Sequence, residues 1–249
     1  MARLEENLRG VRERIAAAAR AAGRDPASVA LLAISKTWPA DDVRALAGLG
    51  QRDFGENRAQ ELITKAAELG ELPVRWHFVG QLQRNKAAAV ARLGAVVHSV
   101  DRPSLAGVLD RTGRETGRAV EVLLQVDLGA GVADAGATAP RGGAAPEDIP
   151  GLADSVAAAP GLRLRGLMAV APRGEDPASA FGRLATVAAR VRADHPEAVE
   201  LSAGMSGDLE AAISAGATIV RVGTALFGNR PLVSGIEAHQ SHEPQTPRT

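Results

Sequence analysis

Residues 29–57, VALLAISKTWPADDVRALAGLGQRDFGEN, contain a complete strand–helix–strand passage. The apolar run from Val29 to Ile34 lies between Asp25-Pro26 and Pro39. Six apolar residues are the length of a strand buried on both faces, and too short for a helix. A helix follows over 40–48, and a second strand over 52–54. The same alternation recurs to the end of the chain. Strands are predicted near 75–79, 95–99, 120–127, 162–169, 199–202 and 218–222, with helices near 57–69, 83–92, 103–116, 147–158, 176–193 and 206–214. Eight strands separated by helices imply parallel crossovers. At this length a closed (β/α)8 TIM barrel, an α/β fold, fits better than an open doubly wound sheet. Ahead of the first strand, Leu4, Leu8, Val11, Ile15 and Ala18/Ala19 recur at three-to-four spacing. They predict an extra N-terminal amphipathic helix ending at Gly23.

The 249 residues are 45% hydrophobic, ample for one large packed domain, assigned here to residues 1–235. Residues 129–146, rich in Gly, Ala and Pro, predict a long flexible loop after the fifth strand, and the polar residues 236–249 predict a disordered tail. There is no cysteine, which removes disulfides, thiolate metal sites and cysteine nucleophiles. The first 23 residues carry a charge every few positions, so they form neither a signal peptide nor a membrane span, and the expected compartment is the cytoplasm. Positive and negative residues balance at 29 each and aromatics make up 2%, which argues against a nucleic-acid or anionic-membrane partner. No histidine–carboxylate spacing resembles a metal site, and no P-loop or dinucleotide fingerprint follows the first strand.

The chain holds 26 Arg and only 3 Lys. Lys36, just past the first strand, therefore stands against a strong bias. A lysine can give up its proton and act as a nucleophile or Schiff-base former, which a guanidinium does not. Taken alone, a strand-end lysine reaching to water is the commoner explanation of such a position. In a barrel every strand opens its C-terminal end onto one face, where active sites of the fold are built. That gathers Lys36, FGEN, HFVGQLQRNK, VHSVD, GLMAVAP, LSAGMSGD and RVGTALFG around one mouth.

In the last of these, Gly223 admits a ligand close to the backbone and Thr224 offers two donors to an anion. Ser206, in the loop after the seventh strand, offers a hydroxyl to the same anion or caps the next helix. Arg221 interrupts an apolar strand, so its charge needs a partner, either within the barrel or on a ligand's pyridine nitrogen. Asn57 reads as a helix N-cap with Gln60 completing a capping box, or as a ligand contact. His77 and Asn85 stand at the third strand and the following loop, and a lone histidine there is usually structural.

The motifs AISKTWP, DFGENRAQE, WHFVGQLQRNKAA, VHSVD, LRGLMAVAP and LSAGMSGDLEAAISAGATIVRVGTALFG, taken together over residues 5–230, resemble the pyridoxal phosphate homeostasis protein family of the YggS/PROSC type. The resemblance implies a fold-type III barrel like the N-terminal domain of alanine racemase. It implies pyridoxal 5'-phosphate held as a Schiff base on Lys36, phosphate contacts from Ser206, Gly223 and Thr224, and Arg221 near the pyridine nitrogen. Asn57, His77, Asn85, Met168 and Ser202 complete the binding residues carried over with the motifs. The chain departs from the family pattern at 129–146, which lacks a lysine-containing stretch, at SAGMS in place of SMGMS, and at Arg58, where an aromatic is frequent.

Members of this family are regarded as vitamin B6 carriers or regulators. The expectation is a cofactor-binding protein that serves apo-enzymes depending on the same cofactor, as a monomer and without dedicated turnover. Racemization needs acid/base groups on both faces of a substrate carbanion, the second being a tyrosine in alanine-racemase-like enzymes, and this chain has no tyrosine. A racemase or decarboxylase using the same cofactor, and a cofactor-free Schiff-base aldolase, remain the alternatives.

Overall fold

The computed structural model describes residues 2–129 and 142–228. The alternation read from the sequence closes into an eight-stranded parallel barrel in chain order, β1 (Ala30–Ile34), β2 (Asp53–Glu56), β3 (Arg75–Phe78), β4 (Val96–Val100), β5 (Val120–Gln125), β6 (Leu162–Met168), β7 (Glu200–Ser202) and β8 (Ile219–Val222). Closure is made by β8 against β1, with Leu32 opposite Arg221. The helices are α1 (Ala2–Ala21), α2 (Ala40–Gly48), α3 (Ala59–Glu68), α4 (Arg84–Arg92), α5 (Pro103–Thr116), α6 (Ile149–Ala157), α7 (Pro177–Asp194), α8 (Leu209–Ser214) and α9 (Thr224–Phe227). The extra N-terminal helix is α1, and Gly23 follows it with φ of 67°. The one-turn helix α9 carries no periodicity and was not legible in advance.

Strand alternation sorts side chains into two cores. Leu31 and Ala33 of β1 join the large cluster packed between strands and helices, while Leu32 and Ile34 face the lumen with Ile219 and Val79. A second lumen cluster holds Val96, Leu123 and Met168. The lumen is filled by side chains, as barrels of this size require. At its N-terminal mouth Arg75, Glu121, Arg165 and Glu200 form a row of ion pairs, with Arg75–Glu121 at 2.6 Å, Glu121–Arg165 at 3.5 Å and Arg165–Glu200 at 2.7 Å. Helix α1 braces the closure. Asn7 donates to the Leu226 carbonyl at 2.7 Å, and Arg24, just beyond the helix, donates to the Ile213 and Ala217 carbonyls at 2.9 and 2.8 Å.

The fifth strand ends at Gln125, two residues earlier than predicted. The close of the predicted loop is pinned there: Ala144 bridges Val126, and the Gln125 side chain donates to the Gly142 carbonyl at 2.7 Å. Residues 130–141, the domain limit at 235 and the predicted tail lie outside the described residues. Among the described residues, no helix is long and apolar enough to cross a membrane.

Candidate cofactor site at the C-terminal mouth

A cavity of about 460 Å³ opens between the ends of β1, β2, β3, β6, β7 and β8. Lys36, Asn57, Ser206, Arg221, Gly223 and Thr224, six of the residues singled out in the sequence, line it together. Trp38, Val79, Gly80, Val170 and Met205 complete most of the wall and were missed, because nothing in their local sequence distinguishes them from core or surface positions.

Lys36 owes its place to a pinned turn. The residues on either side of it are held by a buried ionic cluster. Ser35 Oγ donates to Glu56 Oε1 at 2.7 Å, Lys65 Nζ donates to the Ser35 carbonyl at 2.7 Å, and the Thr37 amide donates to Glu61. Lys65 closes the cluster on Glu56 and Glu61 at 2.7 and 2.8 Å. Thr37 has φ of 67°, a left-handed conformation costing an L-residue on the order of 1–2 kcal/mol, and the cluster offsets it. Burial outweighs the Lys65 and Ser35 hydrogen bonds and raises the Glu56 carboxyl above its ordinary value. Its Oε2 is buried without a partner. Lys36 itself makes no hydrogen bond or ion pair within the described residues and is exposed to the cavity.

The opposite wall carries the anion-facing loops. Gly223 lies against β1, where a Cβ would stand 3.2 Å from the Ile34 carbonyl oxygen. The Thr224 amide opens α9, so the helix offers it no acceptor. Ser206 Oγ accepts from the Ala225 amide at 3.4 Å, which ties the two loops together. Ser206 is not a helix cap. Asp208 holds the N-cap position of α8, and its side chain accepts from the Met205 amide at 2.5 Å. The capping box at Asn57 is likewise overturned, since α3 begins at Ala59 behind an uncapped Arg58. The Asn57 backbone instead packs against Gly80, where a Cβ would lie 2.1 Å from the Asn57 carbonyl oxygen.

Arg221 is buried and triply bonded to the barrel. Its Nη1 donates to the carbonyl and hydroxyl of Ser202 at 2.6 and 2.9 Å, and its Nη2 donates to the Ala169 carbonyl at 2.8 Å. Burial pulls its pKa down to about 10, which leaves it cationic at neutral pH.

Four predicted residues do not line this cavity. Ser202 sits directly behind Arg221. His77 lies deeper in the lumen, with Nδ1 2.9 Å from His98 Nε2 and Nε2 3.0 Å from Asp53 Oδ1. Met168 packs against Val96 and Leu123, and Asn85 lines a separate depression with Gln83, Arg84, Arg102 and Val108. His98 is buried among these groups and was not distinguished from the surrounding strand in the sequence. No group of three or more His, Asp or Glu able to hold a metal ion occurs among the described residues.

The family model "alanine racemase, N-terminal domain" matches residues 2–231. A pyridoxal phosphate homeostasis protein of Pseudomonas aeruginosa is 47% identical over 233 residues, covering 92% of this chain and 97% of its relative. The chain belongs to the pyridoxal phosphate homeostasis protein family. An Escherichia coli member is 40% identical, over 91% of this chain and 97% of its own length. Among solved structures, PipY of Synechococcus elongatus with PLP bound matches with a TM-score of 0.77 and 38% identity, covering 90% of this chain and all of PipY. Alanine racemase of Corynebacterium glutamicum matches with a TM-score of 0.70 at 17% identity, over 95% of this chain and 63% of the racemase, a likeness of fold.

Proposed function

We propose that this chain binds pyridoxal 5'-phosphate at the C-terminal mouth of the barrel and serves vitamin B6 homeostasis, holding the cofactor for delivery without dedicated turnover. The observation that carries the reading is the Lys36 amine, unpaired among the described residues, sharing one cavity with Ser206, Gly223, Thr224 and Arg221. The donor set fits the group: a primary amine, hydroxyl and amide donors for a phosphate, and a guanidinium. When bound, the cofactor supplies an aldehyde with which a primary amine condenses reversibly. Lys36 provides that amine, from a turn held on both sides.

The Ser206 and Thr224 loops hold the phosphate, their two faces tied by the Ser206–Ala225 contact. Arg221 has only donors to offer, so it pairs with an unprotonated ring nitrogen and does not strengthen the ring as an electron sink. Asn57 contributes from the β2 end. Ser202 acts through Arg221, and Met168, His77 and Asn85 lie away from the cavity. The absence of tyrosine removes the group that alanine-racemase-like enzymes place on the second face. The PLP-bound state of PipY supports the assignment. The proposed setting is the cytoplasm, as a monomer, with apo-enzymes as recipients.

The test is to add the cofactor to purified protein, record the visible band, reduce with borohydride and map the adduct by mass spectrometry. The adduct belongs on Lys36. Lys36→Ala abolishes it while weaker, non-covalent uptake persists on the phosphate loops. Protein that takes up no cofactor, or an adduct on Lys65 or Lys86, overturns the proposal. Sustained turnover of a single amino acid overturns the carrier reading.

A further inference from the structure

Behind Arg221 the lumen holds a polar line whose other members touch no part of the cavity. Arg221 Nη1 lies 2.9 Å from Ser202 Oγ, Ser202 Oγ lies 3.0 Å from His98 Nδ1, His98 Nε2 lies 2.9 Å from His77 Nδ1, and His77 Nε2 lies 3.0 Å from Asp53 Oδ1. The contact between His98 of β4 and Ser202 of β7 joins strands that are not neighbours, so it crosses the lumen. The line starts at the cavity and ends at the opposite mouth on the partly exposed Asp53, which lies in register with Arg75 of the neighbouring strand.

We infer that Asp53, His77, His98 and Ser202 are a positioning array for Arg221, a hydrogen-bond chain polarised in one direction from the guanidinium to the carboxylate. The two ends fix every proton between them. An ionised carboxylate only accepts, so His77 carries its proton on Nε2 and presents a bare Nδ1. His98 must then donate from Nε2, which leaves its own Nδ1 bare. The Ser202 hydroxyl donates to that nitrogen, and its oxygen is left to accept from Arg221, which only donates. Reversing the chain sets lone pairs against lone pairs at Asp53. Protonating His77 sets its Nδ1–H against the Nε2–H of His98, and protonating His98 sets its Nδ1–H against the Ser202 hydroxyl proton.

Burial, with His77, Arg221 and Arg75 nearby, holds His98 well below its ordinary pKa, in keeping with a neutral ring. Three guanidinium bonds to the barrel leave the two remaining N–H donors for the cavity. The array thereby fixes the direction in which Arg221 donates.

The consequence for ligand recognition rests on the proposed function; the protonation pattern does not. Nitrogen-15 NMR of the histidine-labelled full chain, with resonances assigned through His77→Asn and His98→Asn, is expected to show both rings neutral at pH 7 with Nε2 protonated. A Nδ1–H tautomer or an imidazolium at His77 or His98 overturns the array. The second measurement compares affinity for pyridoxal phosphate with that for its 1-deaza analogue, which lacks the ring acceptor. Ser202→Ala is expected to lower the preference for pyridoxal phosphate about tenfold, the scale of one buried hydrogen bond, while affinity for the analogue holds within about twofold.

His98→Asn keeps an acceptor near Nδ1 and retains more of the preference than His98→Leu does. Equal losses for both ligands, or an unchanged preference, overturn the positioning role. If neither ligand binds the native protein, the proposed function fails, and the tautomers alone decide whether the array exists.

Discussion

Lys65 shows how a single side chain can hold a reactive neighbour without touching it. Its ammonium reaches the Ser35 carbonyl, Glu56 and Glu61, so one residue fixes both flanks of Lys36. Replacing it by Met leaves Glu56 buried with no cation, a defect worth about 3 kcal/mol when one partner of a buried pair is removed. Lys65→Met is therefore expected to lower the unfolding free energy at pH 7 by about that amount in urea titration, and to slow adduct formation on Lys36. The rarity of lysine made Lys36 stand out in the sequence. Lys65 is equally rare, yet its role was hidden, because its partners come from β1, β2 and α3 and meet only after packing.

At the scale of elements, the cavity depends on strand ends approaching closely. Gly80, after β3, sits where a Cβ would be 2.1 Å from the Asn57 carbonyl oxygen and 2.8 Å from its Cα. Gly80→Ala must displace the β2 end, and is expected to cost about 1–3 kcal/mol and to weaken cofactor uptake, read by thermal melting and by titration. The strand-to-strand contact through His98 makes a second prediction. Its folded pKa lies well below the ordinary 6.5, mainly through burial. A depressed pKa means that the unfolded chain binds the proton first. The stability due to neutral His98 is thus complete above pH 6.5 and is lost as pH falls below it, by up to about 1.4 kcal/mol per pH unit. Unfolding free energies between pH 7.5 and 5 should show this slope, and His98→Asn should lack that part of it.

Across the whole molecule, α1 is the brace that keeps β8 and α9 against β1. Leu4, Leu8, Val11, Ile15 and Ala19 bury one face of it, and Arg24 donates to two carbonyls at either end of the α8–β8 connection. Arg24→Ala removes these two charge-assisted bonds together with those to Ser28 and is expected to cost about 2 kcal/mol, measured by chemical unfolding, with the cofactor site intact below the transition. Strand and helix periods and the Gly and Pro boundaries are local properties, so the sequence by itself determined the order of elements, the barrel and the place of Lys36 at its mouth. Only closure decided which side chains meet. Asp53, His77, His98, Ser202 and Arg221 come from five strands spread over 169 positions in the chain, and no local pattern relates them. Their hydrogen bonds exist because closure brings the five side chains together in a lumen where a buried polar group left unpaired is costly.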